Sequence, residues 1–98
     1  MKIPSKIKVG HKKYSVQKIK MIPGVRGRIY YGSELILIAT HGAGGYKYTK
    51  KEMYNTFWHE LTHAILDDMG SKLEQDEKFV SNFSDRLANA INSAKFET

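Results

Sequence analysis

His59-Glu60-Leu61-Thr62-His63 sets two imidazoles four residues apart with a carboxylate beside the first. On a helix of 3.6 residues per turn the two histidines lie about 40° apart, so both rings project from one face and can share an ion. That arrangement suits tetrahedral zinc. Glu60 lies about 60° round the helix from His63, within reach of a water on the metal without displacing either ring. The chemistry to expect is hydrolysis by a zinc-activated water. Zn2+ brings the pKa of such a water toward about 7 and polarises a carbonyl. Glu60 acts as general base, taking the water's proton and passing it to the leaving amine. The bland alternative is two surface histidines that fall four apart beside a common glutamate.

A catalytic zinc takes three protein ligands and keeps one position open, so a third ligand must come from elsewhere. Residues 50–69 read as a helix: Thr49-Lys50-Lys51-Glu52 fits a capping box, and no breaker intervenes before Gly70, where a C-terminal cap prefers glycine. Residues 74–94 read as a second helix with an apolar stripe of Phe79, Val80, Phe83, Leu87, Ala90, Ile91 and Ala94. The link at Gly70 to Leu73 is short, so the helices form an antiparallel hairpin. Across its centre Glu77 stands level with the histidine pair, on the inward face one turn before Val80, and is the candidate third ligand. Glu74 and Asp76 are its rivals.

Several other residues could serve the site. Asp67 lies one turn beyond His63 and could accept a hydrogen bond from a ligating imidazole. His41 precedes the loop Gly42-Ala43-Gly44-Gly45 and could reach the metal, though a lone loop histidine is more often solvated; His11 falls in a hairpin turn. Tyr46 and Tyr48 could donate to an oxyanion or simply anchor their loop, and Trp58 reads as a packing residue. The glycine loop fits no phosphate-binding pattern and reads as a flexible connector.

The first forty residues must build the platform. Residues 6–20 alternate with period two around Gly10-His11, and Arg28 to Tyr31 and Leu35 to Ala39 flank Gly32-Ser33, giving two hairpins. The fold class is therefore α+β: a small antiparallel sheet of about four strands over residues 6–40, then the helical hairpin. Leu35 to Ala39 is an unbroken apolar run, expected to be the strand best covered on both faces. At 98 residues the chain is one domain with one modest core. It has no cysteine, which excludes a disulfide framework and thiolate ligands and leaves His, Asp and Glu for metal chemistry. Met1 to Lys6 has no apolar stretch long enough for a signal peptide and no run approaches membrane-spanning length, so the expected setting is cytoplasmic, as a monomer or small oligomer.

The site pattern resembles gluzincin-type metallopeptidases, in which two histidines of one helix and a glutamate of the next bind zinc. Among these, residues 49–92 are similar to small ImmA/IrrE-like and phage-encoded zincins, whose second helix starts with Glu and repeats small or apolar residues as Glu77, Val80, Phe83 and Ser84 do. The resemblance implies a peptidase acting on a protein or peptide, with His59, His63 and Glu77 as ligands and Glu60 as base. It also implies an edge strand beside the cleft to align an extended substrate, for which Leu35 to Ala39 is the expected strand. The interval from His63 to Glu77 is shorter than in larger gluzincins, and the chain is too short for their extra lobe.

The net charge of +6 supplies a competing reading, since nine lysines and arginines, Lys2 to Arg28, precede the first acid, Glu34. A sheet with a lysine-rich solvent face accounts for this, and lysines also discourage edge-to-edge pairing. The alternative is a non-catalytic module in which zinc holds the helical hairpin and the basic sheet engages a protein or nucleic acid; nucleic-acid binding rests on charge alone.

Overall fold

The computed structural model describes residues 2–96. Four strands come first, β1 (Lys6–Val9), β2 (Lys12–Ile19), β3 (Gly27–Tyr30) and β4 (Leu35–Ala39), and two helices follow, α1 (Lys50–Asp68) and α2 (Glu77–Ser93). The α+β class and both hairpins are as the alternation predicts. The sheet is mixed, however, and not antiparallel: its order is β1-β2-β4-β3, and β2 pairs with β4 in parallel. Residues 20–26 carry the chain past the end of β4 to the far edge, so β3 descends outside and β4 returns between β3 and β2. Alternation reports which face a side chain takes, not which strands are neighbours. The all-apolar run takes the inner position, where a covered strand belongs. β4 is thus internal, and the edge nearest the helices' cleft is β3, which corrects the expectation for Leu35 to Ala39.

The sheet's inner face, Val9, Tyr14, Ile36 and Ile38, packs against Phe57, Leu61 and Ala64 of α1. Helix α2 packs on α1 through the small row Val80, Ser84 and Ala88, a spacing of four that keeps one side of the helix inward. Because α2 covers only α1, its wider stripe is not all buried. Phe83 is exposed and stacks on Phe79, and Ala90 and Ala94 face out; on α1, Ile65 also faces out.

Local chemistry sets the helix ends. Thr49 Oγ1 accepts from the Glu52 amide and Glu52 Oε1 accepts from the Thr49 amide, each at 3.0 Å. At the other end Gly70 adopts φ 68°, and the Gly70 and Ser71 amides donate to the Asp67 and Leu66 carbonyls. A 3-10 turn, Lys72–Gln75, fills part of the span predicted as the second helix, and Asp76 starts α2 by accepting from the Phe79 amide at 3.0 Å. The glycine loop is not a loose connector: the Gly42 amide donates to Tyr46 O at 2.7 Å and Tyr48 donates to Thr40 O at 2.8 Å. Among the described residues no helix is long and apolar enough to cross a membrane.

Ile36 lies under α1 with no exposed surface. Ile36→Ala should lower the unfolding free energy by about 2–5 kcal/mol, read as an earlier urea midpoint at unchanged slope. A wild-type midpoint would show that α1 does not seal the sheet there.

Candidate metal centre

His59 and His63 occupy successive turns of α1, on the side away from Phe57 and Leu61, with ring centroids 5.0 Å apart. Both turn Nε2 toward one carboxylate. Glu77, in the first turn of α2, stands 3.1 Å from His59 through Oε2 and 2.8 Å from His63 through Oε1. One ligand atom from each of the three residues falls in a group spanning no more than 4.8 Å, the scale on which a single small ion bridges them. The donor set of two imidazoles and a carboxylate suits zinc. His63 is buried, with 8% of its side chain exposed, whereas Glu77 is 68% exposed.

The rival ligands have other work. Asp76 caps α2, and Glu74 lies behind His63, its Oε1 3.6 Å from Nδ1. Asp67, which could equally have supported a ligating imidazole or stood as an exposed acid near the helix end, is turned away from His63. It faces Lys12 of β2 at 3.7 Å, because α1 turns that side toward the sheet. His41 lies outside the cluster, with Nδ1 2.7 Å from Thr40 Oγ1, and His11 is exposed in the β1–β2 turn. Tyr46 donates to Glu52 at 2.9 Å, tying the loop to the start of α1, and Arg26, from the link before β3, lies over the Tyr48 ring. Trp58 packs edge-on against Tyr54 and Phe57.

A cleft of about 660 Å³ opens over the cluster. One wall is β3 with the loop before it, and the other is α2 through Glu77, Ser81 and Asp85. The residues that the sequence did not single out are on the β3 side. Gly27 runs so close to α1 that a Cβ there would meet Thr56 Cγ2 at 2.5 Å and Glu60 Oε2 at 3.0 Å. Arg28 and Tyr31 also face the cleft. A glycine opening a strand was the one local signal; nothing in its neighbours tied it to a helix thirty residues on.

Glu60 is 6% exposed. Burial pushes its carboxyl from 4.5 up to about 8, Glu77's charge adds to the rise, and the Arg28 guanidinium opposes it. In the metal-free protein the group is therefore largely protonated at neutral pH, and a nearby divalent cation would draw it back toward the carboxylate. Burial also pushes His59 down, against the pull of Glu77, which favours the neutral ring that offers a lone pair.

No family model, curated protein or solved structure matches the chain.

Two outcomes follow from the Glu60 environment. Its folded-state pKa exceeds the unfolded one, so the folded form binds more protons between about pH 4.5 and about 8. Metal-free protein should lose stability as pH rises through that window, and Glu60→Gln should flatten the slope; an equal slope in both, measured by urea unfolding across pH, would contradict the burial argument. Gly27→Ala should cost about 1–3 kcal/mol by forcing β3 from α1. Wild-type thermal stability in that variant would show the gap to be wider.

Proposed function

We propose that the chain is a zinc-dependent metallopeptidase, with His59, His63 and Glu77 as metal ligands and Glu60 as general base. One observation carries this reading: two imidazole Nε2 atoms converge on a single carboxylate at the floor of a cleft lined also by Glu60. A divalent cation held there supplies the Lewis acid that activates water and polarises a carbonyl. Glu60 takes the proton of the attacking water and delivers it to the leaving amine. A cation held beside it would draw Glu60 from the protonated form that burial favours back to the carboxylate that a general base requires.

The cleft shape supports an extended substrate. β3 is an edge strand, so its free backbone groups can pair with a peptide lying along the cleft, as the gluzincin resemblance implies for a strand in this place. Arg28 and Tyr31 flank that path. The cysteine-free composition fits a reducing cytoplasmic setting.

Metal analysis and proteolysis of an unfolded protein substrate test this directly. Wild type should carry one zinc per chain, and His63→Ala and Glu77→Ala should lose it. Glu60→Gln should keep the zinc while cleavage falls about 10²–10⁴-fold. Metal-free wild type after zinc loading, or full cleavage in Glu60→Gln, would sink the proposal; a zinc-loaded wild type that cleaves nothing would leave zinc as a structural staple of a binding module.

A further inference from the structure

His63 has a second nitrogen that the metal reading does not use. Its Nδ1 is buried and makes no hydrogen bond, and Glu74 Oε1 lies 3.6 Å away. The same glutamate oxygen accepts the hydroxyl of Tyr31, at the end of β3. Tyr31 is itself held by β2: Lys12 donates from Nζ to the Tyr31 carbonyl at 3.2 Å, lies 5.6 Å from its ring centroid and reaches Asp67 at 3.7 Å. A continuous chain of polar contacts thus runs from the sheet, through the 3-10 turn, to one imidazole of α1.

We propose that Glu74, clamped by Tyr31, is the positioning residue of His63, accepting its Nδ1–H and so aiming Nε2 at the metal position. This deepens the metal reading and rests on it. A neutral imidazole carries one proton, and when Nε2 gives its lone pair to a cation that proton must sit on Nδ1. A buried N–H needs an acceptor. Glu74 alone among the described residues places a carboxylate against Nδ1, and a small shift of either side chain brings the pair from ion-pair to hydrogen-bond distance. The Tyr31 hydroxyl fixes which oxygen faces the ring. Asp67, the carboxylate that spacing on α1 alone would choose, faces Lys12.

The test uses the full chain with zinc alone as the probe, and histidine-ring nitrogen NMR as a readout that a general loss of stability would not move. Glu74→Ala should weaken zinc binding about 10–100-fold. Glu74→Gln should recover most of that loss, because its amide oxygen still accepts from Nδ1–H. Tyr31→Phe should give a smaller loss. In zinc-loaded wild type the protonated ring nitrogen of His63 is Nδ1, and its resonance should shift in Glu74→Ala while those of His59 stay in place. Wild-type affinity in Glu74→Ala with an unshifted Nδ1–H overturns the proposal. So does a loss in Glu74→Gln equal to that in Glu74→Ala, since charge and not an accepted hydrogen bond would then be what Glu74 supplies. If Glu74→Ala fails to fold, Tyr31→Phe decides on the same resonance. A wild type that binds no zinc sinks the metal reading and this inference with it, whereas a wild type that binds zinc with an Nδ1–H indifferent to Glu74→Ala sinks this inference alone.

Discussion

Helix α1 is packed on two sides at once, and the rest of the molecule depends on that. Phe57, Leu61 and Ala64 face the sheet, while His59 and His63, offset around the same turns, face the cleft under α2. The helix cannot rotate to improve one contact without spoiling the other. Ile36 and Ile38 hold it against the sheet with no exposed surface of their own, so the apolar core fixes the azimuth of both imidazoles. Interiors packed at crystal-like density resist small rotations, which makes the core a source of preorganisation for the site.

Glu77 reaches the histidine pair by a different device. Gly70 ends α1 in a left-handed conformation, the 3-10 turn takes up the slack, and Asp76 restarts the helix so that Glu77 falls in its first turn. The small row Val80, Ser84 and Ala88 lets α2 lie close to α1. Five carboxylates, Glu52, Glu60, Glu74, Glu77 and Asp85, then line one cleft with two histidines, Arg26 and Arg28. Burial and Glu77's charge hold Glu60 protonated, an arrangement that a divalent cation would relieve. Occupancy of the site would therefore couple to stability as well as to chemistry.

How much of this was legible follows the range of the forces. The motif, the capping box at Thr49 and the glycine stop at Gly70 are set within a few residues, and each is read straight from the chain. Glu77 was reachable because a short helical hairpin has nearly fixed geometry. Strand order was not: pairing β4 with β2 in parallel depends on where residues 20–26 carry the chain, and period-two alternation is blind to it. For the same reason β3, Gly27 and Tyr31 escaped notice around the cleft, and spacing could not show that Asp67 turns to Lys12 while Glu74 stands beside His63. Contacts between elements distant in sequence decide those positions, and only the assembled fold displays them.

The central claim is that His59, His63 and Glu77 hold one metal ion. Anomalous diffraction at the zinc absorption edge, from crystals of zinc-loaded protein, addresses it most directly. The account predicts one strong peak bounded by Nε2 of His59, Nε2 of His63 and the Glu77 carboxylate, beside Glu60. No peak there, or a dominant peak at His41 or His11, would contradict it.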